Sequence, residues 1–314
     1  MTRIGCGAAV AVWLAMGIPA AGLAKDKPVE VQVAEQFDAA VNAARLPAAG
    51  ELFADDASVK APETAGVAGR VQIEAWLQSL ATQSWHMESG NRQASEGGRV
   101  TYPTSLAYDT VRRLSVSPVD GFVEVTVLGG KIRSLVIRLS AASQLRILQA
   151  QSKANEAVAR LFVDAVLAKG DLARADALLA AGFVDHDPAP GKNPDAAGFK
   201  GGVTALRASF PDLAYTIEDV IVSGERISVR GFCTGTQNGA FLGAPASGRA
   251  FRAGFVEVLR LQGDRIAERW GAKDAVKMID QLGIVCGPAV VAPAVAPTAT
   301  TTGQPAEKKK SSWF

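Results

Sequence analysis

Histidine and cysteine are scarce in this chain of 314 residues, which contains two histidines and three cysteines. Neither a CxxC pair nor an HExxH sequence is present, so the common spacings of zinc ligands are missing. The sequence also lacks a GxSxG nucleophile motif and a glycine-rich phosphate loop that opens a helix. A net charge of +2 provides no basic excess that would attract nucleic acid. These absences argue against metal enzymes, serine hydrolases, nucleotide-dependent enzymes and nucleic-acid-binding proteins.

The first 24 residues have the pattern of a secretory signal peptide. Met1–Ala24 contains one basic residue, Arg3, then an apolar run over Gly7–Ile18, and ends with the small residues Gly22 and Ala24. The apolar run is too short for a permanent membrane helix. We therefore expect a periplasmic or secreted mature protein without a stable membrane span, and an uncleaved anchor is the alternative.

Two cysteines, Cys233 and Cys286, remain after removal of this segment. An oxidising compartment would permit a disulfide between them. Cys233 lies in an apolar strand pattern, so two unpaired thiols, one of them in the core, are the favoured interpretation.

The mature chain contains two segments with the same predicted order of elements, in which helices precede long strands joined by tight turns. The predicted organisation is a signal peptide (1–24), a first domain (25–140), a linker (141–154), a second domain (155–286) and a tail (287–314). The tail is rich in Ala, Pro, Val and Thr, and we expect it to be disordered. The predicted long strands are Arg99–Tyr108, Val111–Val116, Gly121–Leu128 and Lys131–Ser140 in the first domain, and Leu213–Val222, Arg226–Thr236, Arg249–Leu261 and Arg265–Lys273 in the second.

The last strand and helix of the second domain carry the main catalytic candidate, Asp274. Strand side chains alternate between faces, so Trp270, Ala272 and Asp274 point to one side and Arg269 to the other. If the side with Trp270 lines a cavity, Asp274 is a carboxylate in apolar surroundings and is suited to act as a general base. By the same argument Arg269 points outward to solvent. The alternative is that Asp274 only caps the helix that begins at Ala275.

Four segments of the second domain together resemble a known family. They are GFVDHDPAP (182–190), GFKGGVTALRASFPDLAYTIEDVIVSGERISVRG (198–231), GTQNGAFLGAPASGRAF (235–251) and GDRIAERWGAKDAVKMIDQLG (263–283). In this order they are similar to the SnoaL-like polyketide cyclases, the ester-cyclase group of the nuclear transport factor 2-like fold. The resemblance extends from about Ala154 to Gly283.

The resemblance implies an α+β fold of two tandem cone-shaped domains, each with helices packed on a curved, mostly antiparallel sheet. It implies that Asp274 is the acid/base residue, that His186 acts beside it, and that no metal or organic cofactor is needed. A homodimer is possible by family habit. One departure is that Gln237 stands where the family usually has histidine.

Four further residues are candidates for substrate binding. Trp270 is suited to stack on a planar substrate and Gln237 to bind a carbonyl, while Phe183 and Phe255 would form the wall. The alternatives are that the aromatic residues are core and that Gln237 bridges strands.

The first domain is predicted to be a degenerate copy of the second. Aligning Ile132 with Ile266 places Ser140 opposite Asp274, and aligning Phe53 with Phe183 places Asp56 opposite His186. The first copy then lacks both catalytic candidates and would serve as a lid, a dimer surface or a scaffold.

The favoured function is a cyclase-type enzyme that enolises a small carbonyl substrate and closes a ring by intramolecular aldol-type chemistry. The alternative is an exported, non-catalytic module that binds a small apolar ligand. In both cases the partner is a small molecule.

Overall fold

The computed structural model describes residues 27–284, which form two compact units that meet between Gln151 and Ser152. The predicted signal peptide, Cys286 and the predicted tail lie outside these residues. The predicted linker 141–154 is helical, because one helix runs over Ala141–Leu161. Within residues 27–284 no helix has the length and apolar character that crossing a membrane requires.

The first unit packs helices on one mixed sheet. Its helices are α1 (Val29–Asn42), α2 (Leu46–Gly50), α3 (Arg70–Thr82), α4 (Asp109–Arg113) and the beginning of α5 (Ala141–Leu161). Its strands are β1 (Phe53–Lys60), β2 (Val67–Ala68), β3 (His86–Ser89), β4 (Gln93–Ser95), β5 (Arg99–Ala107), β6 (Val119–Leu128) and β7 (Lys131–Leu139). The strand order is β2-β1-β7-β6-β5-β3, with β4 paired to β5. Phe37 of α1 lies at the centre of the core, in ring contact with Phe53 and Trp76.

The second unit has a five-stranded sheet in the order β8-β12-β11-β10-β9. Its strands are β8 (Leu179–Asp185), β9 (Ala214–Ser223), β10 (Arg226–Thr236), β11 (Ala250–Gln262) and β12 (Arg265–Lys273). After α5 the chain forms a π-helical segment, Phe162–Leu167, followed by α6 (Leu172–Leu178), α7 (Ala196–Ser209) and α8 (Ala275–Leu282). The fold class is therefore α+β, as predicted.

One face of the second sheet, called the inner face here, is covered by the π-helical segment and α7. Phe162, Val166 and Phe199 from these helices join Phe255 and Leu259 of β11 in one buried cluster. Alternate residues of β11 are buried and exposed, as expected for a strand with one covered face. Trp270 and the other residues of opposite parity lie on the outer face.

Three helices of the second unit begin at an aspartate that caps the first turn. Asp171, Asp195 and Asp274 each accept a hydrogen bond from the backbone N–H three residues later, at 2.8, 2.7 and 3.0 Å. Such caps satisfy N–H groups that have no partner within the helix. At the other end, α8 stops at Gly283, whose φ of 67° is readily adopted only by glycine.

The two sheets share the same ladder. β1 is parallel to β7 and β8 is parallel to β12, and all other pairs are antiparallel. In the parallel pairs, Phe53 lies opposite Ile132 and Leu179 lies opposite Ile266. The alignment of Phe53 with Phe183 is therefore wrong by four residues, because the ladder matches Phe53 with Leu179. The two units thus share an order of strand pairs, and the prediction that the first domain is a degenerate copy of the second stays a prediction.

One predicted strand of the first unit is wrong. Val111–Val116 does not form a strand, because Asp109–Arg113 is a short helix in which only Val111 is buried. Arg112 pairs with Asp109 at 2.9 Å across one turn of this helix. The short strands β3 and β4 were not predicted, since three or four residues carry too little periodicity.

The alternation along β11 leads to a stability prediction. Leu259→Ala, which empties a fully buried inner position, should lower the free energy of unfolding by about 2–5 kcal/mol. Val256→Ala is the matched control on the outer face, where the side chain is 42% exposed, and should cost less than about 1 kcal/mol. Urea denaturation followed by circular dichroism measures both. Equal losses would contradict the assignment of the inner face.

Candidate functional site

The inner face of β12 carries Arg269, which was predicted from the sequence to point to solvent. Arg269 is only 5% exposed, whereas Trp270 lies half-buried on the outer face. The prediction that Arg269 points outward is therefore wrong. Period two fixes which residues share a face, but the sequence cannot say which face is covered when the covered residue is charged.

Arg269 lies between two buried carboxylates, and we call these three residues the inner charge cluster. Its Nη1 donates to Asp185 at 2.8 Å, its Nη2 donates to Glu257 at 2.9 Å, and its Nε lies 2.7 Å from the second oxygen of Glu257. Burial disfavours the charge of Arg269, but Glu257 and Asp185 outweigh burial and raise the pKa of its guanidinium. The cluster is thus a charge-compensated group within an apolar core.

The absence of a side chain at Gly271 leaves room for the inner charge cluster. It lies opposite Glu257 in the β11–β12 ladder. A Cβ atom at this position would lie 1.9 Å from Nη2 of Arg269 and 2.7 Å from Oε2 of Glu257. Glycine is therefore required here as long as the guanidinium and the carboxylate keep their places.

A second polar group on the inner face consists of Lys273 and Tyr215. The Lys273 ammonium lies 5.8 Å from the centroid of the Tyr215 ring, which packs edge-on against Phe255. The Tyr215 hydroxyl is buried and is contacted by the Lys273 ammonium, while its own O–H proton has no acceptor within the described residues. Burial raises the pKa of Tyr215. For Lys273, burial opposes the charge, but Tyr215 and Glu257 outweigh it and raise the pKa.

The predicted catalytic residue Asp274 is exposed at the end of β12 and caps α8. Its carboxylate accepts the Lys277 N–H at 3.0 Å. This is the alternative role that the sequence left open. The structure does not give Asp274 the apolar surroundings on which its predicted role as a desolvated base depended.

His186 and Trp270 are brought together, but on the outer face. Their rings stack with centroids 4.3 Å apart and planes within 1°. His186 Nε2 lies 2.8 Å from Oε2 of Glu268, and Arg260 donates to the other oxygen of this carboxylate, Oε1, at 2.7 Å. Arg260 and then His186 lower the pKa of Glu268. The sheet separates this group from the inner charge cluster, so His186 and Trp270 do not line the inner face.

The remaining predicted residues are buried. Gln237 donates to the Pro245 carbonyl at 2.9 Å and accepts from the Ser247 hydroxyl at 2.7 Å. Both ends of its amide therefore hold the loop between β10 and β11. Phe183 and Phe255 belong to the buried core cluster over the inner face, which is the alternative given for them, and their role as a substrate wall stays a prediction.

Sequence reasoning missed the inner charge cluster, although one signal was visible. Along β11 the buried positions are Phe251, Ala253, Phe255, Glu257, Leu259 and Leu261, so one glutamate interrupts an apolar row. The ladders place Val59, Val123 and Leu135 of the first unit at the positions of Asp185, Glu257 and Arg269. The first unit is apolar where the second is charged. Within residues 27–284 no cluster of three or more His, Cys, Asp or Glu side chains is arranged to hold a metal ion.

Removing the central cation should destabilise the second unit. Arg269→Met leaves Asp185 and Glu257 buried without their partner, so the free energy of unfolding at pH 7 should fall by about 3–5 kcal/mol. The loss should shrink toward pH 4, because protonation removes the uncompensated charges. The control Arg230→Met removes a 57%-exposed arginine of β10 and should cost less than about 1 kcal/mol. Chemical denaturation at several pH values measures both, and a loss that does not depend on pH would contradict the argument.

The three tyrosines should make the fold sensitive to alkali. Burial raises the pKa of Tyr102, Tyr108 and Tyr215, that of Tyr108 to about 12. The unfolded tyrosines ionise near pH 10, so stability is intact below about pH 9 and falls as the pH rises beyond about 10. Tyrosinate absorbance and loss of circular dichroism should therefore appear together in an alkaline titration. Ionisation near pH 10 with an unchanged dichroism spectrum would show that these phenols are accessible.

Comparison with known proteins places the similarity in the second unit. No curated protein sequence matches the chain. Among solved structures, TsrD from Streptomyces laurentii is 25% identical, with 42% of this chain and 97% of TsrD covered and a TM-score of 0.39. IdmH from Streptomyces antibioticus, assigned as a polyketide cyclase, is 28% identical, with 41% of this chain and 99% of IdmH covered and a TM-score of 0.38. The family model of the SnoaL-like polyketide cyclases matches residues 157–282. The second unit, which contains the inner charge cluster, is thus the part of the chain that is similar to SnoaL-like polyketide cyclases, and this match suggests a cyclase-type function.

Proposed function

We propose that the second unit is a cyclase-type acid–base enzyme in which Tyr215 and Lys273 stabilise the enolate of a small carbonyl substrate. One observation carries the proposal: the buried Tyr215 hydroxyl lies beside the Lys273 ammonium, which can only donate a hydrogen bond, so the Tyr215 O–H proton has no acceptor among residues 27–284. A buried donor of this kind loses hydration on folding and regains a partner when a substrate oxygen accepts its hydrogen bond.

The chemistry follows from the charges of the two groups. Removing a proton next to a carbonyl places negative charge on the carbonyl oxygen, and fixed donors in a water-poor site stabilise that charge strongly. The raised pKa of Tyr215 keeps its proton in place at neutral pH, and the raised pKa of Lys273 keeps its positive charge. Both groups are therefore in the state that an enolate requires. The enolate carbon then attacks a second carbonyl of the same molecule and closes a ring, and the alkoxide that forms takes back the proton that the base removed.

The base is the second part of the proposal. The resemblance assigns it to Asp274, which directly follows Lys273 at the end of β12. Of the inner carboxylates, Glu257 has both oxygens on Arg269 and is poorly suited to accept a proton. We place the reaction at this strand end, with Lys273 on the inner side and Asp274 at the rim. His186, on the outer face, is not part of it.

The test is proton exchange next to a carbonyl, which reports enolisation without knowledge of the natural substrate. The purified protein is incubated in D2O with a panel of aryl ketones and β-keto esters, and exchange is followed by NMR. Tyr215→Phe and Lys273→Met should each slow the catalysed exchange by about 10²–10³-fold, and Asp274→Asn by about 10²–10⁴-fold. Lys277→Met, an exposed lysine of α8, is the matched control and should leave the rate unchanged.

A second candidate function is a non-catalytic binding module for a small apolar ligand. The exposed, capping position of Asp274 favours it, because a binder needs no base at the inner face. Binding of a panel compound that perturbs the NMR signals of the inner face, with exchange no faster than in buffer, would decide for the binding module. If Asp274→Asn abolishes exchange while Tyr215→Phe and Lys273→Met do not slow it, the aspartate acts as the base and Tyr215 and Lys273 take no part in the reaction.

Export is the proposed location, on the evidence of Met1–Ala24. Sequencing the N-terminus of protein purified from its native host tests it, since an uncleaved chain would contradict a removed signal peptide.

A further inference from the structure

A cavity in the first unit lies between the start of α1 and the connection from β3 to β4. Its volume is about 590 Å³, within the range of small-molecule sites. Pro28, Val31 and Ala94 contribute apolar surface to its wall, and Ser89, Asn91 and Arg92 contribute polar groups. The cavity belongs to the unit that the sequence assigned to a lid, a dimer surface or a scaffold.

The Arg92 side chain in this wall is held from two sides. Its Nη2 forms an ion pair with the buried carboxylate of Asp38. The Tyr102 hydroxyl donates to the same carboxylate at 3.1 Å, and the Arg92 guanidinium lies 4.6 Å above the Tyr102 ring. A guanidinium fixed in this way loses little freedom when a ligand binds, which favours affinity.

Arg92 retains donor capacity beyond these contacts. Its Nε is buried and has no hydrogen-bond partner among residues 27–284. The Ser89 hydroxyl in the same wall is engaged by the Asp38 carboxylate through a side-chain hydrogen bond. Buried donors in native proteins are nearly always satisfied, so the Arg92 Nε–H group requires an acceptor from outside residues 27–284.

We propose that this cavity binds a small organic carboxylate through Arg92, with the apolar wall around the ligand body. Arginine matches carboxylate geometry better than any other side chain, because its N–H groups form a planar fork. The carboxylate of Glu35 is the competing acceptor. It lies 3.9 Å from Nη1 of Arg92 and is held at the rim by Lys27 at 2.8 Å.

The test uses benzoate as the probe and benzamide as its neutral counterpart, added to the full chain labelled with ¹⁵N. Benzoate should shift the Arg92 Nε–Hε signal with a dissociation constant on the order of 1 mM, and benzamide should bind at least about tenfold more weakly. Arg92→Lys keeps a positive charge for Asp38 but removes the fork and should weaken benzoate at least about tenfold. Because this variant has no guanidinium signal, its affinity is read from the backbone amide signals of Ser89 and Ala94 in the same wall. Arg113→Lys, an exposed arginine of α4, is the matched control and should change nothing.

Glu35→Gln is a variant that is expected to increase the affinity for benzoate. An unfolded or damaged variant would not bind more tightly, so this result cannot be caused by loss of folding. Removing the competing carboxylate should tighten benzoate binding several-fold. Lys273→Met in the second unit should leave the Arg92 signal shift intact, which separates this site from the proposed enzyme site. The proposal is overturned if 20 mM benzoate leaves the Arg92 signal in place (about 20 times the expected constant), if Arg92→Lys binds as tightly as the parent chain, or if benzamide equals benzoate.

Discussion

The ion pairing of Arg269 with Asp185 and Glu257 is the interaction on which the second unit depends. It joins β8, β11 and β12 through side chains as well as through the ladder. A buried arginine with two carboxylates adds less net stability than an apolar core of the same volume. Loss of any one partner would leave a buried charge uncompensated, so the three residues must stay together for the three strands to keep their places.

The two units have the same pattern of strand pairing but different residues on the buried face of the sheet. Each sheet has one parallel pair of strands, and the register of both pairs shifts in the same way. The next paired residues lie five positions further along the first strand and two further along its partner. The shift follows the pair Phe53–Ile132 in the first unit and the pair Leu179–Ile266 in the second. Such irregularities fix the register of a sheet and thus which residues face the core. The backbone is therefore matched, while the polar groups differ: the second unit concentrates them on the sheet, and the first around Arg92.

Much of this could be predicted from the sequence, and the failures have a physical pattern. The α+β class, the long strands and the helix cap at Asp274 follow from periodicity and local hydrogen bonding, which act over a few residues. The predicted orientation of β12 was wrong because tertiary packing decides which face of the strand is covered. The sequence around Arg269 does not indicate that this charged side chain is buried. Glu257 was detectable as one charge in an apolar row. The short helix at Asp109 replaced a predicted strand because one buried valine does not define a period.

Gly271 ties the composition of the inner face to its backbone. A side chain there would occupy the space of the Arg269 guanidinium. At the matching positions the first unit has Leu135 in place of the arginine and Ile137 in place of the glycine. The residues at these two positions therefore depend on each other. An arginine at the first position goes with a glycine at the second, and an aliphatic residue at the first goes with a branched aliphatic residue at the second. A descendant of either unit could exchange one state for the other only by passing through an intermediate with a collision or a void.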